Sequence, residues 1–238
     1  EDGSMSLERR VGILAKSELF RDLPATALTD LASRSLEHKI GRGQILFTAG
    51  EPANGLYIVL SGAVRAFRVN VDGREQTIHV EQVGGTLAEV AAFDGGPYPS
   101  TAIAEENSDV LFLTREDVRR FMLQHPEAAL AALAIISGKL RMVASLAEQL
   151  SLMDVSQRLA TLLLDEARRN AHHLEDGVSF SLPLSHSQLA SRLGSVREVV
   201  TRGLQKLTQQ RVIEVHGHRI IVTNVNALRE QAEKHPQL

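Results

Sequence analysis

From Leu184 to Leu204 the chain reads Leu-Ser-His-Ser-Gln-Leu-Ala-Ser-Arg-Leu-Gly-Ser-Val-Arg-Glu-Val-Val-Thr-Arg-Gly-Leu. The groups with chemistry here are Arg197, Glu198 and Arg202. A guanidinium forks onto the O6 and N7 acceptors of guanine, and a carboxylate accepts from cytosine N4; one good bidentate pair discriminates bases by roughly 1–3 kcal/mol. To do this the three side chains must stand on the outer face of a helix in the major groove. The flanking pattern supplies that helix: two short amphipathic segments divided by a glycine, a helix-turn-helix. Ser185 with Gln188 forms a capping box, and Leu189, Ala190 and Leu193 make an apolar stripe at helical spacing. Gly194 takes the positive φ of the turn. Ser195 with Glu198 repeats the capping pattern and is expected to restart the helix. Val196, Val199, Val200, Gly203, Leu204 and Leu207 are expected inward, and Arg197, Glu198, Thr201, Arg202 and Gln205 outward. The competing reading is that Glu198 only caps the helix while the arginines are solvated.

Residues 211–222 read Arg-Val-Ile-Glu-Val-His-Gly-His-Arg-Ile-Ile-Val, two β-branched runs around a glycine turn. This is a hairpin signal, and a hairpin directly after a helix-turn-helix is a wing that touches the phosphate backbone. Its tip carries His216, His218 and Arg219. With Ser185, Ser187 and Thr201, His218 completes the expected DNA-contacting set. Two histidines without a third ligand are too few for zinc, so no metal is expected. Residues 156–225 hold nine Lys/Arg against six Asp/Glu, whereas the whole chain carries −3. The basic end is therefore the one with the helix-turn-helix, as attraction to phosphates requires.

The 238 residues, 43% hydrophobic and 23% charged, suit one large or two small globular domains. The sequence shows no apolar run of about 18 residues and no secretory signal, so no membrane partner is expected. Residues 1–4, ahead of Met5, read as a cloning remnant. Cysteine is absent, which removes disulfides, thiol catalysis and cysteine-ligated iron–sulfur clusters together. A cytoplasmic protein is expected. No nucleophile–base set, P-loop, dinucleotide fingerprint or His-Glu-x-x-His helix is present, and an enzyme is not expected.

The elements that must position the DNA reader begin with a helical region over residues 7–36, in which Pro24 starts a new turn. Short β-like runs follow at 44–47, 56–60, 63–69, 75–80, 100–104 and 110–113, cut by glycines, a pattern of sandwiches and barrels. Thr114-Arg115-Glu116-Asp117 caps a short helix and Pro126 opens a long one. Within it Leu133, Ile136, Leu140, Val143, Ala147 and Leu150 alternate spacings of three and four, a heptad seam that is expected to join two copies. The alternative is a helix packed only on its own β domain. Asp154 starts a further helix, and residues 172–177 read as a loop.

Together, a glycine-punctuated β-roll, a long central helix and a C-terminal winged helix-turn-helix resemble the cyclic AMP receptor / FNR family of bacterial transcription regulators. The strongest pieces are residues 55–62 (Gly-Leu-Tyr-Ile-Val-Leu-Ser-Gly), 84–96, and 194–202. The resemblance implies an α+β fold: an N-terminal antiparallel β-roll like the jelly roll of cyclic-nucleotide-binding domains (5–125), a central dimerisation helix (126–153) and a winged helix-turn-helix (154–226). It further implies a homodimer that acts on RNA polymerase, with Arg197, Glu198 and Arg202 reading a TGTGA-like half-site. Val196 stands where relatives often place a phosphate-contacting Ser, and His186 where many carry a basic residue.

In cyclic-AMP-responsive members the segment like 84–102 holds ribose and cyclic phosphate through a Gly-Glu pair and an Arg-Ser pair. Here Ala88-Glu89 keeps the ribose carboxylate, but Pro99-Ser100 lacks the arginine, and proline offers no backbone N–H. Ser100, Thr101 and nearby amides remain as neutral donors. The adenine-contacting Thr-Ser pair of the central helix falls at Val143-Ala144, which have no polar side-chain atoms. Cyclic AMP is therefore not expected to be a tight effector. Three routes of activation stay open: a more apolar ligand around Glu89, Ser100, Thr101, Val143 and Ala144; a dimer competent without ligand; or haem on an axial His79 or His38, both of which read more simply as strand decoration. The rival from another class is a small-molecule-sensing module, for a cyclic nucleotide or haem, whose DNA reader is secondary.

Overall fold

The computed structural model describes residues 6–171 and 173–233. The expected cloning remnant at residues 1–4 and His172, first in the expected loop, lie outside the described residues. In chain order the elements are α1 (Leu7–Leu14), α2 (Ala25–Arg34), β1 (Leu36–Ile40), β2 (Ile45–Phe47), β3 (Gly55–Ser61), β4 (Val64–Val69), β5 (Glu75–Glu81), β6 (Thr86–Leu87), α3 (Glu89–Asp94), β7 (Thr101–Ala104), β8 (Ser108–Thr114), α4 (Arg115–Gln124) and α5 (Pro126–Leu152). They continue with α6 (Val155–Asn170), β9 (Val178–Ser181), α7 (His186–Leu193), α8 (Arg197–Gln209), β10 (Ile213–His216), β11 (Arg219–Val222) and α9 (Val225–Glu233). Helices combined with antiparallel sheets give the expected α+β class.

The chain divides into two compact units, one of Glu1–Arg68 with Ile78–Val143, the other of Val69–Thr77 with Ala144–Leu238. In the first, two four-stranded sheets run β1-β8-β3-β6 and β2-β7-β4-β5. The ladder of β3 with β8 pairs Leu56 with Leu113 and Ile58 with Leu111, and all four side chains are buried. Glycine is required at the start of β3, because a Cβ on Gly55 would lie 2.0 Å from the Leu113 carbonyl oxygen. Those leucines pack with Phe20 and Leu31 of the N-terminal region, Phe121 of α4, and Ala128 and Ala132 of α5. A second cluster joins Phe47, Val59, Ala66, Ala91, Ala102 and Val110 to Tyr98, whose ring stacks on Phe47 at 4.1 Å.

The sequence expectations need several corrections here. Residues 7–36 are not one helical run: α1 and α2 are separate, and Pro24 is the N-cap of α2. Strand β1 takes the last residue of that region, Leu36, runs to Ile40 and pairs with β8. Helix α5 has an 18-residue window of mean hydropathy 1.6, long and apolar enough to cross a membrane by length and composition. The run is interrupted by polar residues. Alanines, with small but favourable hydropathy, carry the average past Lys139 and Arg141. The helix nonetheless uses one side for the protein's own core, through Ala128 and Ala132. At about 100° per residue, Leu133, Ile136, Leu140, Val143, Ala147 and Leu150 lie roughly a quarter turn from that side. They are largely uncovered, with Leu140 at 68% exposure.

The second unit is built on α6, whose capping box of Asp154 and Gln157 fixes its start. Leu159 and Leu163 of α6 pack with Leu189, Val200, Ile213, Val222 and Leu228. Its sheet has three strands, order β10-β11-β9, one more than the sequence pattern suggested, and α9 follows it.

One backbone position bears on the effector segment. Ala88 precedes α3 in the left-handed region, φ 67° and ψ 22°, where a Cβ crowds the backbone at a cost of roughly 1–2 kcal/mol. Ala88→Gly is expected to stabilise the roll by about 0.5–1 kcal/mol once glycine's larger unfolded-state entropy is subtracted. A higher midpoint in urea unfolding, with unchanged slope, is the readout.

Candidate functional site

The two helices of the DNA reader are set by their ends. At the start of α7 the Ser185 hydroxyl accepts from Gln188 N at 3.2 Å, and the Gln188 side chain accepts from Ser185 N at 2.9 Å. At its end Gly194 adopts φ 60°, and Ser195 N donates to Ala190 O at 2.9 Å, which closes the helix with a left-handed cap. The turn is also clamped from outside. The buried Arg158 of α6 donates through Nε to Leu193 O at 2.9 Å and through Nη1 to Met153 O at 2.5 Å. Burial pushes its guanidinium below the ordinary arginine value, against the nearby Asp154 charge. Two carbonyls, one just before α6 and one at the end of α7, thus share one cation.

Helix α8 begins one residue later than the capping pattern suggested. Its N-cap is Val196, which makes no side-chain cap hydrogen bond, and Ser195 is buried in the turn. Val196 is 38% exposed rather than inward, because an N-cap sits outside the helical register that faces the core. Val200, Leu204 and Leu207 are buried as expected. Glu198 is consequently not spent in a capping box. Arg197, Glu198, Arg202 and Gln205 are exposed along the first turns of α8. Thr201 differs from the expectation of an outward reader: its hydroxyl donates to Arg197 O at 2.9 Å and contacts His186 Nδ1 at 2.8 Å. It braces α8 against α7. Ser187 is exposed, and Ser185 is exposed with its oxygen engaged as the cap.

The wing is the β10–β11 hairpin, with His216 opposite Arg219 and a Gly217-His218 turn in which Gly217 has φ 61°. His218 is exposed at the tip. His216 Nε2 lies 3.3 Å from Glu214, and Arg219 donates to Ser179 Oγ at 3.0 Å across to β9. Among the described residues no group of three or more His, Asp or Glu side chains is placed to hold a metal.

The residues of the first unit that were expected to line an effector pocket have partners of their own. Glu89, first residue of α3, is 5% exposed, and its carboxylate receives Lys139 Nζ of α5 at 2.6 Å and the Thr86 hydroxyl. The same ammonium donates to Thr86 O at 2.7 Å and pairs with Glu81 at 2.8 Å. Burial works against the charge on both Lys139 and Glu81. For Lys139 the two carboxylates outweigh it and hold the ammonium above its ordinary value. For Glu81 the His79 hydrogen bond and the Lys139 charge outweigh it and hold the carboxyl below its usual range. His79, the haem alternative, lies 3.1 Å from Glu81, and His38 stands edge-on to Phe112 at 5.9 Å.

At the other end of the expected pocket, Thr101 is buried and its hydroxyl accepts from Ala49 N at 3.0 Å; Ser100 is half-buried. The Pro99 carbonyl receives Arg68 Nη1 at 2.8 Å, so a guanidinium from β4 stands beside the position that lacks its own arginine. Val143 is 43% exposed, and Ala144 is exposed as well. Lys139, Arg68 and Arg158 are not marked as site residues by the sequence pattern; Lys139 reads there only as part of the polar flank of the long helix, and His186 only as a departure from the basic residue of many relatives.

A cyclic nucleotide-binding domain model matches residues 37–125, and a Crp-like helix-turn-helix domain model matches residues 157–231. A global nitrogen regulator of Synechocystis is 31% identical over 193 residues, 80% of this chain and 85% of that one. The chain belongs to the CRP/FNR family. This CRP/FNR regulator is also 26% identical over 220 residues to a CRP-like cAMP-activated global transcriptional regulator of Mycobacterium tuberculosis, covering 92% of this chain and 98% of the relative. Among solved structures, FixK2 from Bradyrhizobium japonicum superposes with a TM-score of 0.70 at 25% identity, over 84% of this chain and 98% of that one. One relative is named for cyclic AMP and another for nitrogen, so family membership alone does not choose the effector.

Lys139→Met leaves two carboxylates without their cation and is expected to destabilise the roll by about 3 kcal/mol at pH 7. Glu81, lowered on folding, contributes stability above its unfolded value that is lost as pH falls through the folded one. Lys139, raised on folding, contributes stability below its unfolded value that is lost as pH rises through the folded one. The difference in thermal midpoint between wild type and Lys139→Met should therefore be flat through neutral pH, and shrink in acid and again in strong alkali.

Proposed function

We propose that this CRP/FNR regulator is a homodimeric, sequence-specific DNA-binding protein whose α8 reads a TGTGA-like half-site. The observation that carries this reading is the exposure of Arg197, Glu198 and Arg202 on one flank of α8, with no internal hydrogen bond or ion pair among the described residues. Glu198 is free because Val196, not Ser195, caps the helix. Ser185 and Ser187 at the start of α7, and His218 at the wing tip, suit phosphate contacts. The dimer is formed along α5, whose exposed Leu133, Leu140, Val143, Ala147 and Leu150, with the half-buried Ile136, make a knobs-into-holes seam. A twofold pair of readers suits half-sites about 34 Å apart. The protein works in the cytoplasm on RNA polymerase, as its relatives' description as transcription regulators supports.

Cyclic AMP is a weak ligand in this reading. One oxygen of Glu89, Oε1, is already engaged by Lys139 and Thr86, Pro99 has no N–H to offer, and Val143 and Ala144 offer adenine no hydrogen bond. A ligand at Glu89 would meet a carboxylate whose charge is already countered by an ammonium at 2.6 Å.

The test is fluorescence anisotropy of a palindromic TGTGA duplex titrated with purified protein, without nucleotide. Salt-sensitive binding well above a scrambled duplex is expected. Arg202→Ala should weaken it by about 1–3 kcal/mol, roughly 5- to 150-fold, and relax preference at one base pair. Retained affinity for both duplexes in that variant would overturn the half-site reading. Saturating cyclic AMP is expected to change affinity less than threefold. Leu140→Glu, which buries like charges across the seam, should convert the dimer to a monomer in sedimentation velocity.

A further inference from the structure

A helix ends with four backbone carbonyls that have no partner inside it. For α7 these belong to Ala190, Ser191, Arg192 and Leu193, and two of them are met by the turn itself. Ser195 N reaches Ala190 O at 2.9 Å and Gly194 N reaches Ser191 O at 3.5 Å. The other two are met by side chains from elsewhere in the chain. Leu193 O receives Arg158 Nε. Arg192 O receives the side-chain amide of Gln76 at 3.4 Å, from a position 116 residues earlier in strand β5.

Gln76 and Thr77 end the stretch Val69–Thr77, which belongs to the same compact unit as the reader. The Gln76 amide also donates to Thr77 O at 2.9 Å, so it bridges β5 and the end of α7. Its oxygen lies against the turn, where a Cβ on Gly194 would overlap Gln76 Oε1. Beside it the hydroxyls of Thr77 and Ser191 share a hydrogen bond of 2.9 Å, and both residues are buried. Hydroxyls taken out of water cost free energy unless they meet a partner, so this pair favours one seating of β5 on the last turn of α7. The segment that follows depends on that seating. Helix α8 starts from Val196, an N-cap without a side-chain cap hydrogen bond, so its first turn is not fixed by a cap of its own. Gly194, at φ 60°, is the residue type with the widest backbone freedom.

We propose that Gln76 and Thr77 are positioning residues for base reading: from β5 they splint the helix-turn-helix and hold α8 at the angle its base contacts require, without touching DNA. The inference rests on the DNA-reading role proposed above. A bidentate contact to a base edge tolerates little misalignment, whereas attraction to phosphates carries no sequence information and tolerates much. Loss of the splint therefore lowers preference for the correct sequence more than affinity for any sequence.

The experiment compares wild type, Thr77→Val, Thr77→Ser and Gln76→Ala in the full chain by anisotropy on the TGTGA duplex and on a scrambled one. Thermal unfolding and amide hydrogen exchange over residues 190–198 are followed in the free protein. Thr77→Val and Gln76→Ala are each expected to lose about three- to tenfold on the TGTGA duplex, the range of one net hydrogen bond, and less than about twofold on the scrambled one. Exchange at the turn should quicken in both while the thermal midpoint stays close to that of wild type. Thr77→Ser, which keeps the hydroxyl, should match wild type in selectivity. Equal losses on both duplexes with a lowered midpoint would make the contact a general stabiliser of the fold and overturn the inference. A loss shared by Thr77→Ser would remove the hydroxyl pair from it and overturn it as well. Tighter binding by Thr77→Val would show a restraint on the reader instead of a support, with the same result. Faster exchange with unchanged affinity would leave the DNA-reading role standing and eliminate the splint. Failure of wild type to prefer the TGTGA duplex over the scrambled one would overturn the DNA-reading role and this inference with it.

Discussion

A carboxylate cannot be taken out of water without a cation to meet it, and the first unit is organised around that demand. Glu89 is nearly inaccessible, and the ammonium of Lys139 supplies its countercharge at 2.6 Å. The cation comes from α5, the helix that also carries the apolar seam. Hence the helix cannot slide or roll freely against α3 and β5 without leaving charge stranded in a low-dielectric space. The segment around Glu89 and the apolar face of α5 are therefore tied together by an ion pair. This is a physical basis for coupling a signal in the roll to the geometry of a dimer, and equally for a protein in which the signal has been replaced by an internal group.

How much of this was legible in the residues depended on the range of the forces involved. The helix-turn-helix was readable because its determinants are local: the Ser185–Gln188 box, Gly194 and the leucine stripe all act within a turn or two. The start of α8 was misread for a related reason. Ser-x-x-Glu is a valid local pattern at Ser195, but the turn closes through Ser195 N to Ala190 O, which buries Ser195 and moves the cap to Val196. Strands β3, β4 and β5 were visible as glycine-bounded runs, whereas β1, β6 and β9 were not, since their identity comes from pairing with partners distant in sequence. The carboxylate at Glu89 was found by resemblance. Its partner fifty residues away could not be, because a lone lysine in an apolar helix does not reveal which acid it serves.

The reader domain shows the complementary arrangement. The groups proposed to read bases have no internal partner among the described residues, while several groups behind them do. Arg158 holds the end of α7, Thr201 braces α8 through His186, and Ser185 caps α7. Rigid support beneath unengaged polar tips is what lets hydrogen bonds to bases be made without further loss of backbone freedom.

The order β10-β11-β9 in the small sheet has its own consequence. Strand β9 precedes the two helices and β11 follows them, with Ser179 paired to Ile221, so α7 and α8 are enclosed in a loop closed by strand pairing. The cost of closing such a loop is met only when the enclosed helices are packed. The wing and the two helices are accordingly expected to form together. A lesion in the wing strands would then be felt as loss of the folded reader, and the domain could not be trimmed to its two helices.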